Sequence, residues 1–272
     1  MIQDKRPKYN DVKSFRGMPV EGAMERALKE AEGRNEVATP TPSSASPVIT
    51  PVNFDPSKYV IHPSANLLVP VVQSYGGFDY ETTMKKVYSD GYKVMTIKEF
   101  IDYFTGIKDA SEGKLNLSYA DGTQLNYTEA LELWNFLSST TRTRGNCWTW
   151  LNGMFKKEGI IKKHFVLETV TGIDGNGDLI VHPEKSEDCL NGDCYVKLEF
   201  NSQGLPVRKS NNQNYSQGEN LYFYHPRENW VAGFYADSDR SSLSCNGSPS
   251  GSVAALGVFA CAEGASQNGG SP

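Results

Sequence analysis

The sequence predicts an α+β domain, and three observations carry that prediction. Segments with helix periodicity and capping signals crowd residues 77–138. Short apolar or alternating runs, separated by turn residues, fill the chain from about residue 144 onward. The 272 residues, 38% hydrophobic and 22% charged, are enough for one sizeable core. Helices followed by strands, rather than alternating with them, indicate α+β architecture.

The elements follow in order. Residues 19–33, PVEGAMERALKEAEG, predict one short amphipathic helix. Residues 36–51 are rich in Pro, Ser and Thr and read as a linker that buries no core. Residues 1–51 are therefore expected to be an appendage, with a domain over 52–264 and a flexible tail over 265–272. A helix is predicted over YETTMKKVY. A second opens at the Thr96–Glu99 capping box and is expected to stop at Gly106. Residues 115–127 read as a hairpin around Asp121-Gly122. Thr128 is the expected cap of a further helix. Its Ala130, Leu133, Trp134 and Leu137 recur at i, i+3, i+4 and i+7. The expected architecture is two main helices with short antiparallel strands. Those strands are read at 160–170, 179–182, 195–200 and 221–224, and Trp148 and Trp150 share a face if 144–155 is extended.

Composition and motifs exclude several functions. The net charge of -5, with no Lys/Arg-rich face, argues against a nucleic-acid partner. No run approaches the length of a membrane span, and the N-terminus lacks the apolar region of a signal peptide. Synthesis without a signal peptide is thus expected, and no membrane insertion. Asp174, Asn176 and Asp178 imitate a calcium loop. Leu179 stands where that loop needs Gly and Lys185 where it needs Glu, so a hairpin turn is expected. His62, His164, His182 and His225 lack metal-ligand spacing. Gly247-Ser248-Pro249-Ser250-Gly251 has Pro where a nucleophile elbow needs Ser. No metal, cofactor or catalytic residue is expected. Cys189 and Cys194 bracket a four-residue turn, as a disulfide or as two thiols. Cys245 and Cys261 sit in apolar surroundings and read as core thiols. Trp134 with Arg142 and Arg144 reads as a buried Trp beside surface Arg rather than a stacking platform.

Residues 231–262 stand apart. They contain no Lys, Glu, Gln, Met or Trp. About six such residues would be expected in a window this long. Every residue type present can be encoded by a codon ending in a pyrimidine, whereas the five absent types cannot. A turn-rich loop loses Met and Trp for ordinary reasons, but not Lys, Glu and Gln together. The window also alternates. Val231, Ala232, Phe234, Ala236 and Ser238 form an expected packed series, continued by Leu243 and Cys245. Gly233, Tyr235, Asp237 and Asp239 would face the other way. Residues 247–254 read as a loop around Pro249, and 255–262 as one fully covered strand.

These residues resemble the variable region of diversity-generating retroelement target proteins, especially those of archaea and their viruses. The likeness rests on Val231-Ala232, Phe234, Ala236, Ser238, Leu243, Cys245, Pro249 and Ala255-Leu256-Gly257-Val258-Phe259. RGNCWTWLNGMF (144–155) and NLYFYHPRENW (220–230) look like further blocks. The likeness covers the C-terminal half, and residues 75–140 loosely. It implies a C-type lectin fold of the formylglycine-generating-enzyme-like subclass. It also implies a variable region at about 231–256, diversified by an error-prone reverse transcriptase, and display on a virion surface, at the tail, for host attachment. The partner would be a cell-surface macromolecule, protein or glycan, and residues 1–51 would join the chain to the particle. Where the resemblance and the alternation coincide, the expected ligand-contacting positions are Gly233, Tyr235, Asp237, Asp239, Arg240, Ser242, Ser244, Asn246, Gly247, Ser248, Ser250, Gly251, Val253 and Ala254. Two rival readings are a formylglycine-generating-type enzyme using Cys245 and Cys261, and a structural virion or cell-surface protein with no specific ligand.

Overall fold

A computed structural model describes residues 54–138, 146–159 and 163–264, with the backbone of one antiparallel pair, Ser14–Phe15 and Met18–Pro19. The chain divides into two compact units, Met1–Val48 and Ile49–Pro272. Pro19, expected to open a helix, ends the strand Met18–Pro19; the rest of the helix expected over 19–33, with Arg142 and Arg144, lies outside the described residues.

Among the described residues the second unit is α+β, with three α-helices, each in a segment where a helix was predicted. Helix α1 (Tyr80–Ser89) starts at Asp79, whose carboxylate accepts the Thr82 N–H at 2.8 Å. It buries Tyr80, Thr83, Met84 and Val87, one stripe at helical spacing. Helix α2 (Ile97–Ser111) has the expected capping box. The Glu99 carboxylate accepts the Thr96 N–H at 2.7 Å, and the Thr96 hydroxyl accepts the Glu99 N–H at 3.3 Å. The expected stop at Gly106 is wrong. The helix runs through it to Ser111, and a side chain there would lie 2.6 Å from the Pro63 ring. Close packing, not termination, requires that glycine. Helix α3 (Tyr127–Ser138) is capped by Asn126 rather than Thr128. Its side chain accepts the Glu129 N–H at 3.0 Å, and Glu129 accepts the Asn126 N–H at 3.0 Å. Between α2 and α3 the hairpin turns at Gly122, whose φ is +86°.

Among the described residues twelve strands complete the unit. A small sheet joins β1 (Tyr59–Ile61), β2 (Leu67–Pro70), β3 (Lys93–Val94) and β12 (Ala260–Glu263) in the order β1-β2-β12-β3. The large sheet contains β4 (Cys147–Glu158), β5 (His164–Ile173), β6 (Leu179–Lys185), β7 (Cys194–Lys197), β8 (Asn220–Tyr224), β9 (Trp230–Ala236) and β10 (Ser241–Gly247). Its order is β6-β5-β4-β9-β10-β8-β7, with β11 (Leu256–Gly257) parallel on β4. Strands β8 and β10 are also parallel; the other named pairs in this sheet are antiparallel.

The single strand expected over 255–262 is in fact two, serving different sheets. The change of sheet occurs at Val258, whose N–H and carbonyl both bond Ser74 at 2.9 Å. A side chain at Gly257 would sit 2.6 Å from the Ser74 carbonyl oxygen. That close approach breaks the regular ladder.

The β9–β10 pair has a core on each side. The main core packs Phe234 against Phe100 and Phe104 of α2, with ring centroids 4.7 and 5.4 Å apart. Trp134 belongs to it, 5.0 Å from Phe104. Ala232, Ala236, Leu243 and Cys245 share that side. A second core gathers Tyr80, Met84 and Val87 of α1 with Trp150, Val231, Leu256 and Val258. It covers only part of the opposite sheet face, so α1 and the 248–255 loop leave the rest open.

Candidate ligand-binding face

The register of five strands builds this face. Tyr235 stands opposite Trp148 on β4 and Ser242 on β10. Ser242 pairs with Tyr222 on β8, which pairs with Tyr195 on β7. One row across the sheet therefore reads Trp148–Tyr235–Ser242–Tyr222–Tyr195. The next row on the same face holds Trp150, Gly233, Ser244 and Tyr224. Alternation puts Phe234, Leu243 and Phe223 on the reverse side, where each is fully buried.

The aromatic side chains touch one another. Trp148 meets Tyr235 edge-on at 6.1 Å, Tyr195 meets Tyr222 at 5.0 Å, and Tyr222 meets Tyr224 at 4.9 Å. All five of these rings are half-buried, with apolar bodies against the sheet. The β9–β10 turn is tied to them at both ends. The Trp148 indole N–H donates to the Asp237 carboxylate at 2.7 Å. Arg240 lies 4.8 Å over the Tyr222 ring and donates to the Tyr224 hydroxyl at 3.0 Å. Burial, and then the nearby Asp237 carboxylate, push the Tyr235 phenol up to about 12. It remains a neutral hydrogen-bonding group throughout the physiological range.

The fourteen expected positions fall into three groups. Tyr235, Asp237, Asp239 and Arg240 reach solvent on the face or its turn. Gly233, Ser242 and Ser244 share the face but are buried, contrary to an outward, freely accessible reading. Ser242 and Ser244 are only 4% exposed. Large rings flank these small residues. A side chain at Gly233 would lie 3.1 Å from the Tyr235 hydroxyl, which leans back over it. Asn246, Gly247, Ser248, Ser250, Gly251, Val253 and Ala254 continue from the end of β10 into the following loop. Gly247 and Gly251 cover the Trp150 ring, and Gly247 also approaches the Tyr235 hydroxyl. Trp150 and Tyr235 thus join turn and loop in one strip.

Two expectations within the strip need correction. Ser238 is exposed rather than packed, because the strand ends at Ala236. Beyond it Asp237 N–H bonds the Arg240 carbonyl at 2.9 Å, and a tight turn replaces the alternation. Val231 and Ala232 are both packed, but on opposite sides of the sheet; the register shifts between Val231 and Gly233.

Sequence reasoning omitted Tyr195, Tyr222 and Tyr224 from the face. Their signal is present in LYFY, where Leu221 and Phe223 alternate with the two tyrosines. It escapes notice because all four residues are apolar or aromatic.

No family model, curated protein or solved structure matches this chain. The function therefore has to be argued from the site itself.

The remaining candidate groups are placed as follows. Cys245 and Cys261 are fully buried, and burial pushes both thiols well above their usual range. Neither is a thiolate at neutral pH. Cys189 and Cys194 are free thiols, like the other three cysteines. Asp174 closes a hairpin turn, its carboxylate accepting the Asn176 and Asp178 N–H groups at 2.9 Å. His62 is buried, accepting the Ser64 and Ala65 N–H groups at Nδ1 and facing the Glu99 carbonyl at Nε2. His225 pairs with Asp193 at 2.5 Å. Among the described residues no three or more His, Cys, Asp or Glu side chains are grouped to hold a metal, and no helix is long and apolar enough to cross a membrane.

Proposed function

We propose that this chain is a ligand-binding protein of the diversity-generating retroelement type, with a C-type lectin fold of the formylglycine-generating-enzyme-like subclass. Its binding face is the aromatic sheet surface with the β9–β10 turn and the 248–255 loop. The ligand is a macromolecule on a host surface, and the chain is carried on a virus particle.

One observation carries the reading. Within the compositionally biased window, packed core positions alternate with positions that reach solvent, and Gly233, Ser242 and Ser244 lie buried between the rings of the outward face. Phe234, Leu243 and Cys245 are fully buried in a core shared with α2. Tyr235, Asp237, Asp239 and Arg240 at the turn end of β10, and Ser248 and Ser250 in the loop beyond its other end, reach solvent. A biased composition on a supported surface is what replacement without unfolding requires. Half-exposed tyrosines with an adjacent arginine are also the residue types that dominate binding hot spots.

The test is DNA sequencing. A near-copy of codons 231–256, bearing adenines at the solvent-side positions and lying beside a reverse-transcriptase gene, is the expected result. Population sequencing should find substitutions at Tyr235, Asp237, Asp239, Arg240 and the loop. Equal variation at Phe234 and Leu243, or none anywhere, would overturn the reading. Immunolabelling of intact particles should place the chain at the virion tail.

A further inference from the structure

A second site lies in the same unit, away from the aromatic row. Between β1, the end of β2 and the α1–β3 connection there is a cleft of about 830 Å³. That volume falls in the range of small-molecule sites. Three half-buried tyrosines, Tyr59, Tyr75 and Tyr92, line it together with Asp55, Asp90 and Lys58.

One of its two carboxylates is charge-compensated and the other is hydrogen-bonded to a neutral phenol. Asp55 pairs with Lys58 at 3.0 Å and accepts the Ser57 hydroxyl at 2.7 Å. Asp90 accepts the Tyr75 hydroxyl at 2.7 Å. Lys58 is the one cation against two carboxylates, so the cleft has no surplus positive charge for an anion. Asp55 is neutralised by Lys58 and Asp90 keeps its charge, so a cationic ligand is the comparator that a saccharide must outcompete. Acceptors, hydroxyl donors and flat apolar rings remain. Burial is the main cause holding the Tyr59 and Tyr75 phenols protonated.

Tyr75 adds a second, geometric observation. Its φ is +55°, a left-handed conformation uncommon for a bulky residue. The neighbouring Ser74 is held by two backbone bonds to Val258, and a side chain at Gly76 would strike the Ala254 carbonyl. Local backbone strain of this kind concentrates at ligand clamps. Here it directs the phenol to Asp90 at the cleft.

We propose that this cleft binds a neutral saccharide of two or more rings, independently of the variable face. A pyranose offers an apolar C–H face to a tyrosine ring and equatorial hydroxyls to carboxylates and phenols. Those are the groups this cleft presents.

The test uses the full chain and three neutral probes, maltotriose, chitotriose and mannotriose, with choline and sialyllactose as cationic and anionic comparators. Ligand-observed NMR and calorimetry read binding. At least one neutral trisaccharide should bind saturably. The affinity should fall at least tenfold in both Asp90→Asn and Tyr92→Phe, each shown by thermal melting to be folded, and should be unchanged in Tyr235→Ala. Tenfold corresponds to about 1.4 kcal/mol. Absence of binding by all three trisaccharides would overturn the proposal. So would stronger binding of choline or sialyllactose. Loss of saccharide binding in Tyr235→Ala with retention in the cleft variants would also overturn it, by moving the site to the variable face. A chain that binds saccharide here yet shows no codon diversity would uphold the cleft while removing the retroelement reading.

Discussion

The two sides of the β9–β10 pair have almost the same backbone and opposite chemistry. Towards α2 the strands place Phe234, Ala236, Leu243 and Cys245, all at most 3% exposed. Towards solvent they place Tyr235, Gly233, Ser242 and Ser244 among the rings of neighbouring strands. The inward side is held by shape complementarity between rings and helices. The outward side is held by contacts among a few half-buried side chains. A single hairpin can therefore be intolerant of change on one side and permissive on the other, and the difference lies in what covers each side chain, not in the strands.

The largest effect should come from the sealed side. Phe234→Ala opens a cavity between Phe100 and Phe104, at a cost of about 3–5 kcal/mol. Denaturant unfolding would measure it, and a loss below about 1 kcal/mol would erase the contrast between the two sides.

Gly233 tests whether the open side is as permissive as its position suggests. A side chain there meets the Tyr235 hydroxyl at 3.1 Å and the Thr149 carbonyl oxygen at 3.2 Å. Gly233→Val should cost about 1–3 kcal/mol through overpacking. Adding Tyr235→Ala should recover part of that loss. A coupling energy of about 0.5 kcal/mol or more in the double-mutant cycle would show that the two positions act as a pair. Strict additivity would show that the obstruction is the Thr149 backbone alone.

A difference in pH response should follow. His62 packs on the sealed side, 6.1 Å from Tyr103. Burial is the main cause lowering its pKa below 6.5, opposed by the Glu99 carbonyl and by the Glu99 and Asp102 charges, with Lys98 lowering it further. The unfolded chain then binds the proton more readily than the folded one. Stability is complete above the unfolded pKa and is lost as pH falls from about 6.5 towards the folded value. Melting temperature should drop over that window in the natural chain and less in His62→Gln. An equal drop in the variant would assign the acid sensitivity elsewhere.

The smallest effect belongs to the turn. Asp239→Ala should change stability by no more than about 0.5 kcal/mol. Arg240→Ala should lose slightly more, because it gives up the Tyr224 hydrogen bond and the Tyr222 ring contact. A cost comparable to Phe234→Ala would mean that the turn is structural rather than exchangeable.

Much of this architecture was legible in the sequence. The Thr96–Glu99 box, the helical stripe from Ala130 to Leu137 and the alternation through Phe234 depend on local spacing, and the structure bears them out. What was not legible depends on distant neighbours. Gly106 looked like a stop because nothing nearby announces Pro63 across the helix. Residues 255–262 looked like one strand because apolar runs do not reveal a change of sheet. The strands around Val60 and Val69 were missed, being short and set in Pro- and Ser-containing loops. Ser242 and Ser244 were assigned to the correct face, yet their burial arises from tyrosines on another strand. Tyr222 and Tyr224 of the candidate face are the most consequential omission, since an unbroken run of apolar types hides its own alternation.

The 248–255 loop is anchored from outside. Its Pro249 carbonyl accepts the N–H of Tyr80 at the start of α1, at 2.9 Å, and the chain just beyond it is locked to Ser74. Both anchors use main-chain atoms, which every amino acid but proline supplies in full. The loop's path is thus specified by groups that survive side-chain exchange. A partner docking there, as proposed, would meet a surface that has already surrendered its backbone freedom, so little of the association energy would be spent on ordering it. On the proposed function, new side chains would change what is recognised without changing how rigidly it is offered.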